Sequence, residues 1–266
     1  RYSVSKRADE ACPTMLRSDE AYLLATRDLG DADLIAVFLT REHGRVSGVA
    51  RSARRSRKRF GGALDPMSRV RVRWQEREGR DLHRIDAADL ERSYAPMQAD
   101  PEIQAGCAVF SEILQALGDH GADDERAFRL LGAVLDALAD GEPVLPVVRY
   151  FEAWILRLHG LEHELLACAG CHRELGSEIR VGRELDGPRC PECSRSEGVR
   201  TQRIGEADLR FLRAIGGRPP QGLAQHQASA RRDGALEALL RGGLQHYLER
   251  PLRTYRYLAQ MDVTKP

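Results

Sequence analysis

Four cysteines stand at metal-ligand spacing. Cys168-Ala-Gly-Cys171 and Cys190-Pro-Glu-Cys193 are two C-x2-C pairs separated by 18 residues. Each such turn aims two sulfurs at one point, and two turns complete a tetrahedron of thiolates around Zn²⁺. Gly170 and Pro191 suit the tight knuckles this requires. Four protein ligands leave no open coordination position, so the metal would fold a small subdomain rather than activate water. One structural zinc per chain is the expectation. Other readings of these residues exist. Cys168-Ala-Gly-Cys171-His172 also matches the C-x-x-C-H of haem attachment, which would leave the second pair idle. A thioredoxin-like redox pair wants a βαβ context that is absent. One or both pairs as disulfides is a third reading, and His163 or His172 replacing a thiol is a fourth.

A second group is cationic. Residues 51–60 read RSARRSRKRF, placing Arg51, Arg54, Arg55, Arg57, Lys58 and Arg59 in nine residues without an acid, with Gly61 and Gly62 following. Cations neutralise phosphates and release counterions, which gives sequence-independent affinity for nucleic acid. Phe60 is placed to stack a base, although a lone phenylalanine is more often a core plug. Downstream, Arg69, Arg71 and Arg73 alternate with Val70, Val72 and Trp74. In a strand that puts a cation row on one face, and together with the loop it would make a continuous positive groove. The competing reading is a solvated charge run inflated by composition, because 38 of the 41 basic residues are arginine.

These groups need elements to hold them. Five short β-like runs (AYLLATRD, LIAVFLT, RVSGVA, RVRVRW and DLHRIDAA) lie between residues 20 and 88. They suggest a small barrel or meander, of which a five-stranded OB-fold is one solution. Beyond Asp100 the period becomes helical. Ile103, Cys107, Phe110, Ile113, Leu114 and Leu117 share one face, and Phe128, Leu131, Val134, Leu135 and Leu138 share another. Gly118, Gly121 and Gly141 mark breaks; a third helix starts after Pro146 and stops at Gly160. The expected class is α+β: an OB barrel over 15–88, a helical domain over 89–165 and 203–258, and a zinc-binding subdomain inserted at 166–202. Residues 1–14 are read as a disordered tail, with Met15 as an alternative start.

Composition narrows the function classes. The formal net charge is +1, but residues 15–85 carry +6, residues 86–167 carry −11 and residues 168–266 carry +5. Such asymmetry points to separate working surfaces. No apolar run reaches a membrane span, and the N-terminal stretch lacks a signal-peptide core, so the cytoplasm is the expected compartment. No Gly-rich phosphate loop, nucleophile elbow or H-E-x-x-H motif is present. Asp28, Asp31 and Asp33 read as turn residues. The expectation is a protein without catalytic residues.

TREHGRVSGVARSARRSRKRFGGALDPMS resembles the N-terminal signature of the RecO family of bacterial recombination mediators. TRDLGDADLIAVFLT is similar to that family's opening strands. CAGC and CPEC sit where many members carry a zinc segment, and ERPLRT (249–254) resembles the family's C-terminal motif. The resemblance runs from about Met15 to Tyr257. It implies an N-terminal OB-fold, a helical domain bearing the zinc subdomain, and a role in RecFOR-pathway DNA repair. It further implies binding of single- and double-stranded DNA, strand annealing and work with RecR, displacing single-stranded DNA-binding protein so that RecA loads. The family's DNA-contacting loop falls on Arg51, Arg54, Arg55, Arg57, Lys58 and Arg59. Nucleoid association follows, and no cofactor besides zinc. One implied partner fits poorly. The acidic tail of single-stranded DNA-binding protein would meet a −11 segment, where Arg126, Arg129, Arg149 and Arg157 are the helical cations. A zinc-ribbon protein acting on RNA or on transcription or translation, and a protein-interaction scaffold, are the alternatives.

Overall fold

The computed structural model describes residues 14–260 except 78, 80, 118–121, 162–166, 177–178, 183–186, 199, 227–229 and 231–233. Residues 1–13 with Cys12, together with His163, Gly118 and Gly121, therefore lie outside the described residues. The chain divides into two compact units, Arg1–Ser93 and Tyr94–Pro266.

The first unit is a closed five-stranded barrel with neighbour order β1-β2-β3-β5-β4. Its strands are β1 (Thr14–Leu29), β2 (Asp33–Thr40), β3 (Arg45–Ala50), β4 (Arg69–Arg77) and β5 (His83–Arg92). This is the OB-fold arrangement. β1 serves two neighbours: Thr14–Tyr22 pair with β4 and Ala21–Leu29 with β2. A register shift between Leu23 and Ala25 bends it from one to the other. Closure depends on a parallel β3–β5 contact in which Gly48 faces His83. A Cβ on Gly48 would stand 2.7 Å from Ile85 Cδ1 and 2.8 Å from the His83 carbonyl oxygen. Only glycine lets these strands approach so closely.

Alternation fills the barrel. Leu23, Phe38, Val46, Val70, Val72, Trp74 and Ile85 point inward and are buried. The arginines between the β4 residues point outward. Inside the first β1–β4 half, Asp19 is also buried; its Oδ2 accepts from Glu42 N at 2.8 Å and lies 3.0 Å from His43 Nδ1, pinning the β2–β3 turn.

The second unit is helical. It begins with α2 (Pro101–Ala116), which follows the single turn α1 (Arg57–Phe60) of the barrel unit, and continues with α3 (Ala122–Ala139) and α4 (Val144–Leu158). Asp100 caps α2, its carboxylate accepting from Glu102 N at 2.7 Å, with Pro101 at the first helical position. After the cysteine region come α5 (Pro191–Glu197), α6 (Glu206–Ala214), α7 (Ala235–Tyr247) and α8 (Tyr255–Gln260). α4 packs against α2, α3 and α7, and α8 packs on α2. The Phe110 and Phe151 rings meet at 4.5 Å between α2 and α4. Cys107 lies buried on α2, and burial pushes its thiol up to about 12, as suits a core residue.

Candidate nucleic-acid interface and metal centre

The basic loop links β3 to β4 and is pinned from within. Ala53, Phe60 and Ala63 belong to the barrel core, and Phe60 is 3% exposed. Ser52 enters the loop at φ 53° and Met67 leaves it at φ 62°, both in the left-handed region. Met67 N donates to the Leu23 carbonyl at 2.8 Å, and Leu23 N donates to the Ser68 carbonyl at 3.0 Å, fastening the loop end to the β1 bend. The spacing of the three apolar anchors leaves the intervening cations outside. Arg51, Arg54, Arg55 and Lys58 are exposed.

Phe60 lies in the barrel core and not on the surface where base stacking would place it. Its ring plugs the barrel and offers no face to a base. The arginine after Lys58 is engaged locally: Arg59 Nη2 donates to the Arg51 carbonyl at 2.6 Å, Nε donates to Ser56 Oγ at 3.0 Å, and the guanidinium lies 5.1 Å from the Phe60 ring centre. Arg54 pairs with Asp28 at the end of β1, so that turn aspartate has a definite partner. Arg51, Arg55 and Lys58 have no carboxylate partner among the described residues. The Arg57 side chain lies outside what is described.

The β4 row differs in its surroundings. Arg69 and Arg71 both reach Glu20 of β1 and Glu91 of β5, and Arg73 reaches Asp89 of β5 at 2.5 Å. In place of one continuous positive groove there are two sets of cations, held against opposite halves of β1. In the loop set Arg51, Arg55 and Lys58 have no carboxylate partner among the described residues, and the strand set is laced with carboxylates. Beside the loop set, an open cleft of about 770 Å³ runs between Leu29, Asp33, Arg51, Leu82 and Arg84.

In the helical unit, Cys168, Cys171, Cys190 and Cys193 come together, with their sulfurs all within 4.8 Å of one another. None is in a disulfide in this structure. The Cys171 and Cys190 sulfurs are 3.9 Å apart, against about 3.8 Å for two thiolates sharing a tetrahedral Zn²⁺ at about 2.3 Å. Backbone amides point at the sulfurs: Cys190 N donates to Cys168 Sγ at 3.3 Å and Cys193 N donates to Cys190 Sγ at 3.4 Å. Arg173 Nε donates to Cys171 Sγ at 3.4 Å, and this holds the exposed Cys171 thiol down to about 6. The hydrogen bond with Cys190 pushes Cys193 up to about 12, as expected of thiols crowded together. The donor set, its spacing and the amide bonds fit a single divalent metal with four thiolates.

Helices α4 and α6 with the cysteine segment supply a third feature. Trp154 and Arg157 of α4 stack at 5.0 Å and line a cavity of about 400 Å³ with Leu175, Leu209, Arg213 and Ile215. Arg149, a helical cation considered for an acidic peptide, is unavailable to one. It is wholly buried, with Nη1 2.7 Å and 2.6 Å from the Glu152 oxygens and Nη2 2.5 Å from Glu237.

Comparison with known proteins agrees with this layout. The family model described as recombination protein O N terminal matches residues 15–94, and its C-terminal counterpart matches residues 98–256. The chain belongs to the recombination protein O family. It is 33% identical over 252 residues to the DNA repair protein RecO of Koribacter versatilis, covering 93% of this chain and 100% of that one. It is 35% identical to the DNA repair protein RecO of Anaeromyxobacter sp. strain K, over 90% of this chain and 94% of the relative. The same protein of Geobacter metallireducens is 35% identical over 91% of this chain and 97% of its own.

The carboxylate partners of the β4 arginines carry no sequence signal of their own. Glu20, Glu91 and Asp89 sit among many acids with no motif to mark them, and only barrel register brings them to β4. The ERPLRT segment also gains a physical account. Glu112 of α2 accepts from Arg253 N at 2.9 Å, Thr254 N at 2.8 Å and Thr254 Oγ1 at 2.6 Å, so the motif docks the start of α8. Among the described residues no helix is long and apolar enough to cross a membrane.

Proposed function

We propose that this protein is a non-enzymatic DNA-binding recombination mediator of RecFOR-pathway repair. It anneals complementary strands, and with RecR it helps RecA load onto DNA coated by single-stranded DNA-binding protein. One observation carries the reading. The loop anchors itself in the barrel core through Ala53, Phe60 and Ala63 while Arg51, Arg55 and Lys58 stay exposed without carboxylate partners among the described residues. A rigidly held, uncompensated cation cluster on an OB barrel favours a polyanion. Arg51, Arg55 and Lys58 therefore make the first phosphate contacts, with Arg54, Arg57 and Arg59 of the same loop beside them. Arg69, Arg71 and Arg73 of β4 take part only by exchanging their carboxylates. Annealing follows from screening two backbones while leaving base edges free to pair. Membership of the recombination protein O family, and relatives named DNA repair protein RecO, support the repair role.

The four-thiolate cluster is assigned to one structural Zn²⁺ per chain. Bound there, the metal supplies cross-links between the two knuckles; Cys168, Cys171, Cys190 and Cys193 hold it and Arg173 offsets its thiolate charge. For the acidic tail of single-stranded DNA-binding protein, the Trp154–Arg157 cavity with Arg213 offers an apolar floor and two cations inside an otherwise acidic unit. The protein acts in the cytoplasm, at the nucleoid. A strand-annealing assay, with bare DNA and with DNA coated by single-stranded DNA-binding protein, tests the reading. Failure to anneal, or a preference for RNA in gel shifts, favours the RNA-associated alternative. Absence of nucleic-acid binding at low salt favours a scaffold.

A further inference from the structure

The barrel's outer face carries cations that already hold anions. Glu20 accepts from Arg69 Nη2 at 2.9 Å and from Arg71 Nη2 at 3.2 Å, and Arg41 Nη1 stands 3.5 Å away. Glu91 reaches the same two arginines from the opposite strand, 3.4 Å from Arg69 Nε and 3.1 Å from Arg71 Nη2. Register explains the convergence. Glu20 faces Arg71 across β1–β4, and Asp89 faces Arg71 across β4–β5. The pairing then slips between Arg69, opposite Arg92, and Val70, opposite Leu90. Glu91 is the extra residue of that bulge, and bulges re-aim side chains. Here the bulge sets a carboxylate between two guanidinium groups.

We propose that Glu20, Glu91 and Asp89 are built-in counter-anions that occupy the β4 arginines in place of phosphate and so limit the protein's grip on a nucleic-acid backbone. The proposal rests on the nucleic-acid reading above. Carboxylate and phosphate take the same planar N–H fork of arginine, so one anion substitutes for the other without rebuilding the site. The arginine side chains are 37–47% exposed, whereas Glu20 and Glu91 are 20% and 28% exposed. The cations are therefore reachable from solvent; Glu20 and Glu91 are held beneath them, while Asp89, 55% exposed, meets Arg73 at the surface. Exposed pairs are individually weak, so a phosphodiester chain concentrated by the loop can displace them. The displaced carboxylates remain tethered a few ångströms away and compete for return. Such a surface holds a strand without retaining it, which suits a protein that must hand strands on. A purely structural ladder would instead affect stability and leave binding unchanged.

Fluorescence anisotropy with a labelled single-stranded oligonucleotide, between about 50 and 200 mM salt, separates these cases. E20Q/E91Q should steepen the slope of log K against log[salt] by roughly 1.4, or about 0.7 for each of two added phosphates, and bind about threefold or more tightly at low salt. Adding R69Q/R71Q to that variant should abolish the gain, while R69Q/R71Q alone should change the wild-type slope by less than about 0.7. E42Q/D31N removes the same formal charge from exposed barrel residues outside the ladder and controls for net charge. Equal gain from E42Q/D31N, no gain from E20Q/E91Q in a folded protein, or a full loss of slope from R69Q/R71Q alone overturns the proposal. If E20Q/E91Q fails to fold by circular dichroism, E91Q alone, on the bulge, is read the same way with half the slope change. Wild-type protein that binds no DNA at any salt refutes the nucleic-acid reading itself, a result distinct from binding that the carboxylates leave unchanged.

Discussion

Arg149 and Glu152 face each other one turn apart on α4, both wholly buried, with Nη1 2.7 Å and 2.6 Å from the two carboxylate oxygens. Glu237 of α7 takes Nη2, and the Tyr255 hydroxyl of α8 donates to Glu152. Three helices thus converge on one guanidinium. Burial holds the Glu152 carboxyl above its ordinary value, and Arg149 and the Tyr255 hydroxyl oppose this only in part. Replacing Arg149 by Met should leave the wholly buried Glu152 without a cation, with Glu237 keeping only Arg241 at 3.7 Å, and cost about 3–5 kcal/mol in urea unfolding. If R149M unfolds at the wild-type midpoint, the network is not a structural centre of the helical unit.

DNA binding should depend on the loop. Changing the exposed Arg51, Arg54, Arg55 and Lys58 together to Ala should weaken single-strand binding. With about five phosphates contacted, the wild-type slope of log K against log[salt] is roughly −3.5, and Arg55→Ala alone should flatten it by about 0.7. Unchanged binding by the fourfold variant removes the loop assignment.

Phe60→Ala should act through the fold. Truncating a phenylalanine in a packed core costs about 3–5 kcal/mol, whereas losing a stacked base would weaken binding in a protein of normal stability. Thermal melting and anisotropy on one sample distinguish the two. A stable F60A with weak binding would restore the stacking role.

Elemental analysis of protein purified without chelator should find about one zinc per chain, with Cys190→Ser losing it. Chelation should unfold the cysteine segment and leave the barrel's affinity for DNA nearly intact, because the barrel builds its own core. Absence of metal in carefully prepared protein contradicts the four-thiolate centre.

Acid should loosen α8 through Glu112. Burial would raise this carboxyl, but hydrogen bonds from Thr254 and Arg253 and the nearby Arg250 outweigh it and hold it below the usual range. A depressed carboxylate contributes its stability above the unfolded value of about 4.3, and loses it as pH falls through the lower folded value. Glu112→Ala should cost about 1–2 kcal/mol at neutral pH from lost hydrogen bonds. Glu112→Gln should flatten the decline in stability below about pH 4.3; an unchanged acid profile contradicts the role.

Much of this was readable from local pattern. Valines and Trp74 at every second position marked β4, and the 3.6-residue apolar period marked α2 and α3, because side-chain direction follows backbone period. Two C-x2-C pairs marked the four thiols that come together, since a knuckle is a local structure. The loop's cations were equally visible. Their pairing was not. Glu20 and Arg71 are 51 positions apart, and the register that joins them follows from barrel closure, which needs Gly48 against Ile85 and the bend in β1.

By itself, then, the sequence determined periodicity, the thiol knuckles and the concentration of positive charge in the first unit. Those depend on neighbours a few residues apart. Tertiary structure alone decided which cations face solvent free, which are matched by carboxylates, that Phe60 fills the barrel and that Arg149 is buried. Charge and burial are set by groups brought within a few ångströms across strands and helices, and distance along the chain does not encode that proximity.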